Sequence, residues 1–184
     1  MSQNYALSSK IKISCGYTKP CIVKKHTGFY TTYSRFILKA LKKVSFQAFI
    51  SQMLLSERIE EKTVNSIDIA VFPVSKKNGL NVVGRCNTFR GKIRIYPKSF
   101  YFCDALRKKQ GKEVVYAFAG NRARAALIHE LLHLKYSSDE SKVRELTDTY
   151  FCVYMEKLTG KKSALLHSLI FNTKETGKEI SFSF

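Results

Sequence analysis

The chain has 184 residues, 45% of them hydrophobic and 25% charged, which is the balance of a folded globular domain and excludes wholesale disorder. It is long enough to bury a core without disulfides or structural metals. The net charge is +18, and residues 1–128 carry 24 Lys/Arg against 6 Asp/Glu while residues 129–184 carry 8 against 8. The first two-thirds of the chain should therefore attract polyanions, unless the charge serves only solubility.

No targeting or membrane segment is apparent. The N-terminus lacks an apolar run of signal-peptide length, and no run approaches the roughly 18 residues of a membrane span. The five cysteines are an odd number, widely spaced and without a C-x-x-C pair, which favours reduced thiols. A weak pattern of Cys15, Cys21 and His26 matches no common metal site. We therefore expect a cytoplasmic protein with no membrane partner.

The predicted elements begin with an N-terminal extension over residues 1–33, where turn residues and aromatics suit short strands or irregular structure. Over residues 34–62, apolar residues recur at intervals of three and four. This spacing predicts a long amphipathic helix, with Ser45 as the place where it would break. The apolar stripe of the helix should pack on a sheet.

Three strands are predicted next, over residues 66–74, 80–88 and 91–97. In the third strand Ile93 and Ile95 fall on odd positions, so one face belongs to the core and the other is basic. The polar residues on its even positions are Arg90, Lys92, Arg94, Tyr96 and Lys98.

Residues 99–118 give an ambiguous pattern, with aromatics around a basic patch at residues 107–112. Gly120-Asn121 suggests a helix start, and residues 123–136 are strongly helical. The turn at residues 137–139 predicts the cap of another helix, from Glu140 to about Leu158. The chain thus divides into an extension (1–33), an α+β domain (34–158) and a C-terminal tail (159–184).

The strongest chemical signal is the pair His129 and His133, with Glu130 between them. Two histidines four residues apart on a helix project from one face, about 6 Å apart at Cβ, so both imidazoles can reach one tetrahedral ion. Glu130 is then placed to take a proton from a zinc-activated water and to deliver it to a leaving amine. The alternative, an ordinary polar stripe, fits poorly because apolar residues surround the histidines and imply burial.

A catalytic zinc needs a third protein ligand, and two glutamates are candidates. Glu140 begins the next predicted helix, and Glu145 lies further along it on a different face, so at most one of them points at the metal. We favour Glu140. Asp148, which shares a face with Glu145, suits a carboxylate that orients an imidazole.

At these residues the chain resembles a known family. His-Glu-Leu-Leu-His-Leu-Lys-Tyr at residues 129–136, followed by Asp-Glu-Ser-Lys-Val-Arg-Glu-Leu-Thr-Asp at residues 139–148, is similar to the archaeal minigluzincins and, more loosely, to YgjP- and SprT-type zincins. The resemblance implies that His129, His133 and Glu140 bind Zn²⁺ and that Glu130 is the general base and acid. The gap to Glu140 is closer to the YgjP-like spacing, where a histidine usually serves.

The resemblance also implies a zincin-like fold, in which a long N-terminal helix packs on a three- to four-stranded mixed sheet and is followed by an active-site helix and a glutamate helix. The last strand before the active-site helix would line the cleft and pair with an extended peptide. That strand comprises Lys92, Ile93, Arg94, Ile95 and Tyr96. Residues 171–184 can lie in such a cleft as a latency segment, or form an edge strand or a frayed end.

The leading hypothesis is a zinc metalloendopeptidase that hydrolyses a peptide or protein substrate. A second hypothesis is a nucleic-acid-associated protein, in which Tyr101 stacks on bases and a set of cations binds phosphate. The two hypotheses are compatible, because SprT-type zincins act on DNA-bound proteins. A third is a catalytically idle zincin scaffold used for binding. The candidate phosphate-binding cations are Arg90, Lys92, Arg94, Arg107, Lys108 and Lys109.

Overall fold

The computed structural model describes residues 11–16, 26–74 and 81–159. These residues form five helices and a four-stranded mixed sheet, which confirms the predicted α+β class. The strands are β1 (Lys12–Gly16), β2 (Ser66–Ala70), β3 (Gly84–Asn87) and β4 (Lys92–Ile95). The helices are α1 (Thr27–Leu41), α2 (Val44–Ser56), α3 (Phe100–Gln110), α4 (Lys112–Tyr136) and α5 (Glu140–Thr159), and a single 3-10 turn spans Glu61–Thr63.

The sheet has the order β1-β2-β4-β3, which places β4 in the interior. β4 pairs with β2 in parallel and with β3 in antiparallel along all four of its residues. Both of its backbone edges are therefore used, and it cannot also pair with a peptide. This corrects the expectation that Lys92–Tyr96 forms the substrate-pairing strand. At this side of the sheet, in the described part of the chain, the outer strand is β3.

Alternation along the strands separates a core face from a basic face, as predicted for Lys92 and Arg94, whereas Tyr96, which was predicted on the basic face, is buried. Ile93 and Ile95 are buried, whereas Lys92 and Arg94 are exposed. Burying an isoleucine side chain stabilises the fold by about 1.5–3 kcal/mol. The isoleucines of β2 and β4 thus fix the sheet against the helices, because a shift of one residue would move them to solvent.

The predicted long helix is two helices, and the break at Lys43 lies two residues from Ser45, where it was predicted. α1 ends at Leu41 and α2 begins at Val44, because Lys43 adopts an extended backbone with a ψ of 126°. The predicted boundary at residue 34 falls inside α1, which begins at Thr27. β1 also belongs to the sheet, through parallel pairing with β2. The described part of the N-terminal segment is thus integrated into the domain.

The ambiguous segment before the motif is helical. α3 ends at Gln110. The next residue, Gly111, has a φ of 89°, which glycine adopts readily, and α4 begins at Lys112. The predicted helix start at Gly120-Asn121 is wrong. Gly120 lies inside α4, where a Cβ would make only ordinary van der Waals contacts, 3.4 Å from the Cβ of Ala40 and 3.5 Å from the Phe36 ring.

α4 runs through the centre of the domain and is buried on most sides over its second half. α5 begins at Glu140 as predicted, and the Asp139 carboxylate accepts a hydrogen bond from the backbone N–H of Lys142 at 3.0 Å, which caps the helix. Every helix within the described residues is too short or too polar to cross a bilayer. Residues 171–184, the tail expected to be a latency segment, an edge strand or a frayed end, lie outside the described residues, as does Cys21.

Candidate metal centre

Three side chains converge between α4 and α5. His129 and His133 lie one turn apart on α4, and their Nε2 atoms are 3.1 Å apart. Glu140, the first residue of α5, holds one carboxylate oxygen 3.7 Å from His129 Nε2 and the other 3.5 Å from His133 Nε2. Both histidines are buried, and Glu140 is partly buried.

The separations suit a small tetrahedral ion. Donor atoms at 2.0–2.1 Å from zinc lie about 3.3 Å from one another in ideal tetrahedral geometry. The observed separations of 3.1, 3.5 and 3.7 Å lie on both sides of that value. Small side-chain adjustments therefore suffice to place one ion in contact with all three groups.

The ring nitrogens that face away from this point are held by acceptors. His133 Nδ1 lies 2.6 Å from the carbonyl oxygen of Ser137. His129 Nδ1 lies 3.3 Å from Thr147 Oγ1, and the Thr147 hydroxyl donates its hydrogen to the Val143 carbonyl at 2.6 Å. The Thr147 oxygen is thus free to accept from His129 Nδ1–H. These partners assign the proton of each imidazole to Nδ1, so each Nε2 is unprotonated and carries a lone pair that faces the other ring.

Two such lone pairs at 3.1 Å repel each other unless a cation or a proton lies between them. A proton is disfavoured there, because burial lowers the pKa of His129 to about 3 and also lowers the pKa of His133. The arrangement fits a metal ion, which accepts both lone pairs without protonating either ring.

The turn between the two helices positions Glu140. Ser137 has a φ of 48°, a value that side-chain-bearing residues rarely adopt, and its carbonyl points at His133. Arg144, one turn along α5, donates from Nε to Glu140 Oε1 at 2.7 Å. The other oxygen, Oε2, is buried and accepts no hydrogen bond from any residue that the structure describes. This orphaned acceptor, which lies nearest to His133, suits a metal ligand.

Glu130 projects towards β3. A Cβ on Gly84 would lie 2.5 Å from Glu130 Oε1, so the carboxylate occupies space that only glycine leaves open. The backbone N–H of Cys86 donates a hydrogen bond to this carboxylate. Burial, with a further contribution from the Glu140 charge, raises the pKa of Glu130 to about 8. A cation bound nearby would lower that pKa towards neutrality, the range in which a general base is most effective.

A cavity of about 310 Å³ opens beside these residues. Tyr96 N–H donates to the Val83 carbonyl, so the antiparallel alternation turns the backbone groups of Gly84 and Cys86 away from β4. The outer edge of β3 therefore faces the cavity. The lining residues are Arg85, Cys86, Thr88, His129, Glu130, His133, Ser137 and Ser138, and none of the predicted substrate residues Lys92–Tyr96 is among them.

Comparisons with known proteins identify no relative. No protein-family model, curated protein or solved structure matched the chain. The resemblance to minigluzincins thus depends on residues 129–148 alone, and the function has to be derived from the geometry of the site.

The structure separates the two candidates for the third ligand. Glu140 faces the histidines, whereas the Glu145 side chain is 66% exposed and forms an ion pair with Lys142 at 3.1 Å. Asp148 was predicted to orient an imidazole. The side chain that orients His129 is instead the hydroxyl of the preceding residue, Thr147. The spacing of Thr147 from Glu140 could have predicted this role. Thr147 lies seven residues, or two helical turns, after Glu140, so both side chains lie on the same face of α5.

Proposed function

We propose that the protein is a zinc-dependent metallopeptidase. The observation that carries the proposal is the convergence of His129, His133 and Glu140, with Glu130 beside them, at a cavity bounded by a strand edge. Two imidazoles and one carboxylate are a common ligand set for catalytic zinc, and they leave a fourth position open. Imidazole also binds copper, nickel and iron. We choose zinc because a general base beside the metal, here Glu130, suits hydrolysis by metal-activated water.

When bound, zinc would supply a positive charge that polarises a scissile carbonyl and acidifies water. Ionised Glu130 would accept a proton from the attacking water and return it to the leaving amine. Gly84 makes room for its carboxylate, and the Cys86 N–H holds it. The other outward backbone groups of β3, which are the N–H and C=O of Gly84 and the C=O of Cys86, would bind an extended peptide by strand addition, which orients the scissile bond.

A matched pair of variants tests the proposal. The purified protein is expected to hold about one zinc per chain. Glu130→Gln should keep the metal and lose cleavage of an unfolded protein such as casein, while Glu113→Gln, an exposed change on the same helix, should leave cleavage intact. Full cleavage by Glu130→Gln would contradict the mechanism. Wild-type protein that holds zinc but cleaves nothing would favour the idle scaffold.

Metal content also tests the third ligand. Glu140→Ala should lose zinc at a chelator concentration that wild type tolerates, whereas Glu145→Ala should retain it. A cytoplasmic location is part of the proposal and is supported by the free thiols of the four described cysteines, Cys15, Cys86, Cys103 and Cys152.

A further inference from the structure

The face of the sheet opposite the helices carries a row of cations. Strand pairing aligns Asp68, Arg94 and Arg85 across β2, β4 and β3, and it aligns Lys12 with Ser66 and Lys92 in the next row. Lys12, Arg85, Lys92 and Arg94 are all exposed. Asp68 is the single acidic residue in these two rows, and its carboxylate accepts a hydrogen bond from Ser14 at 3.1 Å.

None of these four cations forms an ion pair with a described residue. The ion-paired Lys and Arg side chains of the described part all lie in the helices or the 3-10 turn, for example Arg107 and Lys108 with Asp104. Arg85 and Arg94 stand directly opposite each other on adjacent strands, an arrangement of like charges that destabilises a sheet. An anion that binds between them would remove this repulsion.

An exposed aromatic ring stands at the end of this face. Phe89 lies in the turn between β3 and β4 and is 96% exposed, the most exposed of the large hydrophobic side chains described. The turn is held in place, since Arg90 N–H donates to Asn87 Oδ1 at 2.9 Å and Asn65 donates to the Arg90 carbonyl at 2.8 Å. Gly91, with a φ of 58°, lies so close to the Thr63 carbonyl that no side chain fits. The fold therefore presents the ring on a firmly anchored turn.

We propose that this surface binds single-stranded nucleic acid. We call it the basic face, and it comprises Lys12, Arg85, Phe89, Arg90, Lys92 and Arg94. The cations would contact phosphates, and the Phe89 ring would stack on an unpaired base. An acidic polypeptide would use the cations and leave the ring without a role, and a bilayer would require more than one apolar side chain.

The net charge of +18 gives the whole protein a field that draws polyanions, and the basic face supplies a local contact surface within it. Arg85 belongs both to this face and to the lining of the metal cavity, so a bound strand would reach the cavity rim. The candidates Arg107 and Lys108 are not part of the surface, because Asp104 already pairs with both of them on α3. The inference is independent of the proposed hydrolysis, because binding is measured without it.

Fluorescence anisotropy with a labelled 20-residue oligothymidylate tests the inference on the full chain. With about five phosphate contacts, the logarithm of affinity should fall against the logarithm of salt concentration with a slope of about −3.5. The triple variant Arg90→Glu/Lys92→Glu/Arg94→Glu should bind at least about 100-fold more weakly. The matched control is Lys39→Glu/Lys42→Glu/Lys43→Glu on the exposed side of α1 and its end, which changes the net charge by the same amount, from +18 to +12.

Phe89→Ala should weaken binding about tenfold and leave the salt slope unchanged, because stacking releases no counterions. Tyr101→Ala, which removes another exposed aromatic ring on α3, is its control. Far-ultraviolet circular dichroism checks folding, and if the charge-reversed triple variant does not fold, the neutral pair Arg85→Gln/Arg94→Gln replaces it.

Three results would overturn the inference. Equal losses in the two triple variants would show attraction without a defined surface. The face would be assigned to an acidic polypeptide if polyglutamate displaced the labelled strand as well as unlabelled oligothymidylate at equal charge and Phe89→Ala did not change the affinity. Stacking on an unpaired base would be excluded if a duplex bound as tightly as the single strand and Phe89→Ala again left the affinity unchanged. A selective loss at the basic face together with the Phe89 effect would support it.

Discussion

The contact between Thr147 and His129 gives a sharp test of the metal centre. Thr147→Val keeps the shape of the side chain but removes the oxygen that accepts from His129 Nδ1–H at 3.3 Å. A buried donor left without a partner costs about 1–3 kcal/mol, which corresponds to a 5- to 150-fold loss of affinity. Loss of a group that orients a metal-binding histidine typically weakens metal binding 10- to 100-fold. We therefore expect the Kd for zinc to rise about 10- to 100-fold in Thr147→Val, with Glu130 unchanged.

Thr149→Val is the matched control for this change. Thr149 donates to the Glu145 carbonyl at 2.9 Å, the same contact within α5 that Thr147 makes to Val143, but Thr149 is exposed. Each variant therefore loses one hydroxyl bond to the helix, and only Thr147→Val loses the contact with an imidazole. The Kd is measured by competition with a chromophoric zinc chelator at constant pH. Equal Kd values for wild type and Thr147→Val would refute the assigned tautomer of His129 and with it the inferred direction of its Nε2 lone pair.

Two further changes probe the base and the frame of the site. In Gly84→Ala the new methyl would lie 2.5 Å from Glu130 Oε1, so the carboxylate must move by about 1 Å to reach an ordinary contact, and such a displacement can cost about 100-fold in kcat/KM. Zinc content should not change, and Gly28→Ala, where nothing lies within 4 Å, should leave activity intact. Full activity in Gly84→Ala would mean that Glu130 does not need its present position. Glu57 accepts hydrogen bonds from Tyr136, Tyr150 and Lys135; although burial favours the protonated form, these bonds outweigh it and lower the pKa of Glu57. Its ionised form therefore stabilises the fold above the ordinary pKa of 4.5, and this contribution is lost as the pH falls through the lowered value. Glu57→Gln should reduce the free energy of unfolding by about 1–3 kcal/mol at pH 7, and by less in acid, in denaturant titrations at several pH values; a difference that is constant with pH would count against this reading.

The convergence of His129, His133 and Glu140 could be predicted from the sequence because its geometry is local. Residues four apart on a helix share a face whatever the rest of the fold does, and Glu140 follows the motif after one short turn. The same local reasoning failed for the environment of Glu130. Gly84 and Cys86 lie more than 40 residues before it in the chain, and only the pairing of β3 with β4 brings them to the site.

Sheet order explains the misplaced substrate strand. The resemblance led us to expect that β4, the last strand before the motif helix, borders the cleft. This would hold if β4 were the outermost strand, but β3 pairs with it in antiparallel on its far side. The alternation of Ile93 and Ile95 reports which face of β4 is buried and says nothing about its neighbours. Similarly, the alternation of the five-residue β1 is too short to distinguish a strand from irregular structure.

The candidate metal centre is unfavourable without a cation, and the surrounding fold compensates for this. Two lone pairs of histidine nitrogens face each other at 3.1 Å, and the Glu140 charge disfavours the ionised form of Glu130. Without a restraint, α5 would relieve the repulsion between Glu140 and Glu130 by moving away from α4, because Glu140 lies on α5 and Glu130 on α4. The Glu57 carboxylate opposes that movement, because it binds Tyr136 at the end of α4 and Tyr150 on α5 together. The three candidate ligands are therefore held close together in the folded protein. Part of the ordering cost is then met during folding, so the free energy of binding a metal here would be correspondingly more favourable.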